Sequence, residues 1–122
     1  MKRVLVIDDD PSISELIADF CISVGYEAKT LNDSTQAVAV AKEWGPDLVT
    51  LDLEMPGSDG IEVLKNLHGN PDTKHIPVIV VSIVADKAEK DGLLKDAQGV
   101  FSKPIKFPTF LSRLEVLLKP QP

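Results

Sequence analysis

Residues 48–60 read LVTLDLEMPGSDG, an apolar run, Leu48-Val49-Thr50-Leu51, that stops on an acid, Asp52, and turns at once through Met55, Pro56 and Gly57. A carboxylate at the mouth of a buried strand costs stability unless something pairs with it. Asp is also a turn former, so this stretch alone leaves a turn and a chemical role equally open.

Working outward, the same pattern recurs. Short apolar runs at residues 4–7, 26–30, 48–51, 78–81 and 100–102 are each followed by a segment of helical length. VLVI and VIVV are unbroken and β-branched, as expected of central parallel strands covered on both faces. The run at 26–30 is more polar and reads as an edge strand. The first helix follows DDDPS, where Asp10 can cap and Pro11 suits the first helical position, and ends near Gly25. It carries the stripe Ile13, Leu16, Ile17, Phe20, Cys21 and Val24, which makes Cys21 a small core residue. The second helix has Ala37, Val38, Ala41 and Trp44 at helical spacing before GPD stops it. The third runs from about Ser58 with Ile61, Val63, Leu64 and Leu67 inward. The fourth spans about 86–95, with Gly92 and few apolar residues. The fifth begins near Phe107-Pro108 and carries Phe110, Leu111, Leu114, Leu117 and Leu118. Strands alternating with helices imply a parallel sheet with right-handed crossovers. The chain is 122 residues long, which suits one domain over 1–118 and a tail or linker start at 119–122.

Composition narrows the function. Acids outnumber bases 19 to 13 for a net charge of −6, which argues against direct nucleic-acid binding. No run approaches the roughly 18 apolar residues of a membrane span, and MKRVLVIDDD is no signal peptide, so the expected location is the cytoplasm. Cys21 has no second cysteine to pair with, and His68 and His75 lack partners at metal-ligand spacing.

In sheets of this kind ligands bind beyond the carboxyl ends of the strands. There the chain places Asp8 and Asp9 after the first run, Asp52 after the third, Ser82 after the fourth and Lys103-Pro104 after the fifth. Each alone has a bland reading as a cap, a turn or a solvated side chain; three acids, a hydroxyl and an ammonium on one rim are not what capping predicts. With strands about 4.8 Å apart, adjacent first and third strands bring their carboxylates within roughly 5 Å. Each like-charge pair then costs on the order of 3 kcal/mol at an effective dielectric near 20. A hard divalent cation relieves that cost, and Mg²⁺, held by one or two carboxylates plus water, fits best. A cation, an ammonium and a hydroxyl around one carboxylate also suit the oxygens of a phosphoryl group, with Asp52 as nucleophile toward phosphorus.

In order, VLVIDDD, PDLVTLDLEMPGSDG, IPVIVVS and FSKPI resemble the receiver domain of two-component response regulators over nearly the whole chain. The resemblance implies a flavodoxin-like (βα)5 fold with strand order 2-1-3-4-5. It implies a phosphorylation-activated switch that catalyses only its own modification, with Asp52 as phosphoacceptor. Asp8, Asp9 and Asp52 would bind Mg²⁺ with the backbone carbonyl of Glu54, and Ser82 and Lys103 would serve the phosphoryl group. The Lys103-Pro104 bond is expected to be cis, and Pro56, Gly57 and Gly60 to shape the turn after the acceptor. The implied donor is a sensor histidine kinase or a histidine phosphotransfer protein, with a downstream protein partner and a dimer as an expected outcome of activation.

Three features depart from the common pattern. Val100 stands where the family often has Tyr or Phe, and Phe101, one place later, points to the opposite face of its strand. Ile83 follows Ser82 where many members have Ala, a bulk that restricts access to Asp52. The stretch VSIVADKAEKDGLLKDA resembles receivers of hybrid sensor kinases. Glu54 and Val84 match the positions flanking the hydrolytic water, and an apolar Val84 implies slow loss of the phosphoryl group. Rival readings are a phosphorylation-independent receiver-like interaction module, a Mg²⁺-dependent aspartyl-nucleophile phosphatase and a flavodoxin-like cofactor binder. The complete acid, hydroxyl and lysine set, the little room for capping insertions and the acidic DDDPSIS loop speak against them in turn.

Overall fold

A computed structural model describes residues 1–55 and 58–119, the side chains of residues 55 and 58 apart. The expected turn at Pro56 and Gly57 and most of the 119–122 tail lie outside the described residues.

Strands β1 (Arg3–Ile7), β2 (Glu27–Leu31), β3 (Leu48–Leu51), β4 (Val78–Ser82) and β5 (Gly99–Ser102) form one sheet in the order β2-β1-β3-β4-β5. Every pairing within this five-stranded sheet is parallel. Helices α1 (Pro11–Ser23), α2 (Ala37–Trp44), α3 (Gly60–Gly69), α4 (Ala85–Lys90) and α5 (Phe107–Leu117) connect and flank the strands, and a 3-10 turn, Ser34–Gln36, leads into α2. The central strands β3 and β4 are buried along their whole length, while β2 at the edge is not. That contrast follows from their sequences, LVTL and VIVVS against EAKTL.

The alternation of side chains along the strands divides the core. Leu5, Ile7, Val49, Leu51, Val78 and Val80 pack with Ala37, Ala41, Val63, Leu64, Leu67 and Ala88. Val4, Val6, Leu48, Ile79 and Val81 pack with Ile17, Cys21, Phe110 and Leu114. The sheet is thus sealed on both faces, as parallel sheets require.

Local chemistry sets the helix starts. Asp10 accepts from the Ser12 N–H at 2.9 Å with Pro11 leading α1, and Asp59 accepts from the Ile61 N–H at 2.9 Å at the head of α3. α2 stops at Gly45, whose φ of 67° lies in the left-handed region. Two expectations are corrected. The fourth helix ends at Lys90 instead of running to 95, because Gly92 takes a φ of 73° and turns the chain. Leu16 and Val24 of the α1 stripe are 51% and 37% exposed, whereas Cys21 of that stripe is fully buried.

Candidate functional site

Register builds the site. Ile7 lies level with Leu31 on one side and Leu51 on the other, so the next residues, Asp8 and Asp52, leave the sheet side by side. The ladder runs one step further to hold them: the Asp8 N–H donates to the Leu31 carbonyl at 3.1 Å and the Asp52 N–H to the Ile7 carbonyl at 3.0 Å. Both carboxylates are buried. Asp9 follows on the loop into α1, and one oxygen each from Asp8, Asp9 and Asp52 lies within 4.8 Å of the others.

The cation that meets them comes from the far side of the sheet. The Lys103 ammonium, at the end of β5, donates to Asp8 Oδ2 at 2.9 Å and to Asp52 Oδ2 at 3.2 Å. Main-chain donors take the other oxygens: the Asp10 N–H reaches Asp8 Oδ1 at 3.0 Å and the Glu54 N–H reaches Asp52 Oδ1 at 3.2 Å. Burial is the largest influence on Asp8 and, with the Asp52 charge, raises its pKa above the usual value despite the Asp10 N–H and Lys103. Burial works to lower the pKa of Lys103, but its bonds and charge contacts with Asp8 and Asp52 outweigh that and raise it. Lys103 therefore stays an ammonium at neutral pH.

The donor set fits a hard divalent cation. Three carboxylate oxygens converge, and their spacing suits one or two direct bonds completed by water, the usual habit of Mg²⁺. Asp8, Asp9 and Asp52 would hold such an ion.

The remaining candidates stand around this centre without joining it. Ser82, fully buried at the end of β4, accepts the Val84 N–H on its hydroxyl oxygen at 3.3 Å. The Glu54 side chain is exposed. Ile83 is 66% exposed, while Val84 and Val100 pack on the core face that carries α2 and α3. Phe101 packs on the opposite face, edge-on to Phe110 at 5.9 Å between ring centres. The Lys103-Pro104 bond is cis. Pro104 and Lys103 also line a groove of about 320 Å³ beside the site, with Leu16, Ile83, Ile105 and Phe107.

Sequence reading missed Asn32 and Ser14. The Asn32 side-chain amide donates to the Asp8 carbonyl at 2.7 Å and to the Ser14 hydroxyl at 3.0 Å. No spacing rule marks them; the usable signal was an Asn directly after the second strand, at the same rim as the acids.

Comparison with known proteins agrees with the site. The family model described as "Response regulator receiver domain" matches residues 4–115. The chain is 30% identical over 118 residues to the polar-differentiation response regulator DivK of Brucella anthropi, covering 96% of each chain. It is 33% identical over 120 residues to the DNA-binding dual master transcriptional regulator RpaA of Synechocystis, covering 98% of this chain but 50% of that protein. Among solved structures, the response regulator TrrA of Thermotoga maritima, in complex with Mg²⁺-BeF, superposes with a TM-score of 0.86 at 30% identity, covering 96% of this chain and 99% of that one. By fold, by rim chemistry and by relatives alike, the chain belongs to the response regulator receiver domains of two-component systems.

Proposed function

We propose that this receiver domain acts in the cytoplasm as a switch that accepts a phosphoryl group on Asp52, with Mg²⁺, from a phosphohistidine of a sensor histidine kinase or a histidine phosphotransfer protein. The observation that carries this reading is the grouping of one oxygen each from Asp8, Asp9 and Asp52 within 4.8 Å of one another, with the Lys103 ammonium bonded to both Asp8 and Asp52.

In the proposed step an Asp52 oxygen attacks phosphorus. The O–P bond forms as the N–P bond to the donor imidazole breaks, and the leaving nitrogen takes up a proton. When bound, Mg²⁺ supplies positive charge to the phosphoryl oxygens. Lys103, already at hydrogen-bond distance from Asp52, offers a second positive charge on the other flank. Ser82 receives the Val84 N–H on its oxygen, which leaves its own O–H to donate to a phosphoryl oxygen. The TrrA relative, crystallised with Mg²⁺-BeF, supports the ion and the phosphoryl-like ligand as partners of such a site. The groove formed by Leu16, Ile83, Ile105 and Phe107 beside Lys103 supports a protein donor, since a small acyl phosphate has no use for an apolar surface. On this reading residues 1–118 make up the switch and 119–122 are a tail or linker start.

The test is intact mass after incubation with acetyl phosphate and Mg²⁺, for the wild type and for Asp52→Asn. One added phosphoryl group, lost in the variant and lost on chelation of the metal, is the expected result. With no mass gain, a beryllofluoride-binding measurement separates a short-lived phosphoryl group from an inert site. Inertness in both would sink the proposal and leave a phosphorylation-independent interaction module.

A further inference from the structure

The acid pair sits on the short segment between β1 and α1, and two side chains that tie the main chain of this segment down, Asn32 and Ser14, lie outside the motifs that carry the family resemblance. Asp8 is fixed on both sides. Its N–H donates to the Leu31 carbonyl at 3.1 Å, and its own carbonyl accepts from the Asn32 amide at 2.7 Å. That amide nitrogen also donates to Ser14 Oγ at 3.0 Å, and the fully buried Ser14 hydroxyl donates to the Pro11 carbonyl at 3.1 Å. One nitrogen thereby joins the exit of β2, the acid-bearing loop and the first turn of α1.

Asp9 is the residue with most at stake. The Asp8 carboxylate is held by the Asp10 N–H and by Lys103, and Asp52 by the Glu54 N–H and Lys103. Among the described residues no hydrogen bond or ion pair holds the Asp9 carboxylate, so its aim depends on the main chain that carries it. The Asp8 carbonyl and the Asp9 N–H belong to one rigid peptide plane. Holding that carbonyl therefore sets the direction in which residue 9 leaves the strand.

We infer that Asn32 is a positioning residue for the cation site: through the Asp8 carbonyl it orients the Asp8–Asp9 peptide so that both carboxylates face the same point. The inference rests on the reading of Asp8 and Asp9 as metal ligands. Without the Asn32 amide the peptide plane loses a hydrogen-bonded partner, and the loop must be ordered each time the cation binds. Groups that orient metal ligands in this indirect way commonly matter about tenfold or more in metal affinity.

The experiment titrates Mg²⁺ into the full chain by calorimetry and, in parallel, follows acetyl phosphate labelling against Mg²⁺ concentration. Wild type, Asn32→Ala and Ser14→Ala are compared, with circular dichroism and thermal midpoints in chelator reporting the fold. We expect half-saturating Mg²⁺ to rise about tenfold in Asn32→Ala and by less in Ser14→Ala, while labelling at saturating Mg²⁺ stays at the wild-type rate. A structural lesion would instead lower the rate at every Mg²⁺ concentration. Wild-type Mg²⁺ affinity in a folded Asn32→Ala overturns the inference, as does a rate loss that saturating Mg²⁺ fails to cure. Should Asn32→Ala not fold, wild-type affinity in a folded Asn32→Leu, close in size but with no amide to donate, overturns it equally. A wild type that takes up no Mg²⁺ overturns the metal reading itself, and the inference falls with it.

Discussion

Asp8 and Cys21 are both buried titratable side chains, and their surroundings treat them oppositely. Burial raises the pKa of each, but Asp8 is answered by the Asp10 N–H and the Lys103 ammonium. Cys21 lies among Val4, Ile17, Phe110 and other apolar groups, and burial pushes its thiol from 9.0 up to about 12. The sign of the consequence is fixed by linkage. Between those two values the unfolded chain has released the thiol proton and the folded chain has kept it. Stability from this source is fully present below pH 9.0 and declines as pH rises toward about 12, with a slope of about 1.4 kcal/mol per pH unit inside the window. Chemical denaturation at a series of alkaline pH values should therefore show a shallower decline in Cys21→Ala than in the wild type. Equal slopes would mean that the thiol titrates alike in both states.

At the scale of elements, the start of α3 is pressed against the segment that follows Asp52. A Cβ added at Gly60 would lie 2.4 Å from the Leu53 Cα and 2.8 Å from the carbonyl oxygens of Asp52 and Leu53. All three are main-chain atoms, so relief requires moving either the helix or the acid-bearing loop. Gly60→Ala is expected to destabilise the fold by about 1–3 kcal/mol, read from the denaturant midpoint, and to slow acetyl phosphate labelling. A variant with unaltered midpoint and labelling would show that the loop yields freely. Element positions were legible in the sequence where the apolar period was strong: β1, β3 and β4 stand where their unbroken runs put them. Legibility failed at α4, where a short polar segment left Gly92 as the deciding residue and its left-handed turn had no periodic mark. It failed again at Asn32 and Ser14, whose meeting joins residues 18 apart through a register that no local pattern encodes. Asp8, Asp52 and Lys103, which the structure brings together, were readable for a simpler reason, since each directly follows a strand.

For the whole molecule, the two faces of the sheet carry different materials. The face holding α2 and α3 is filled largely by aliphatic side chains. The other face gathers the aromatic rings, with Phe110 at the centre: Phe20, Phe101 and Phe107 lie 6.0, 5.9 and 6.2 Å from it between ring centres. Phe110 is fully buried, and it joins α5 to both α1 and β5. Phe110→Ala should cost about 3–5 kcal/mol in a denaturation experiment, well above the cost of truncating any exposed residue. A loss under 1 kcal/mol would show that α5 contributes little to the fold. The arrangement also explains why Val100 and Phe101 cannot exchange roles. They occupy opposite faces of β5, and the aromatic one is already committed to this cluster.

Lys103 reaches back 95 residues to Asp8 and 51 to Asp52, which gives the rim a direction in time. During synthesis the chain emerges from its N-terminus, so Asp8, Asp9 and Asp52 all exist before Lys103 has been made. A nascent chain that stops short of β5 holds its acids without the ammonium that bonds them, and their mutual repulsion disfavours closing the rim. The ammonium that bonds both buried acids therefore arrives only with the end of the last strand.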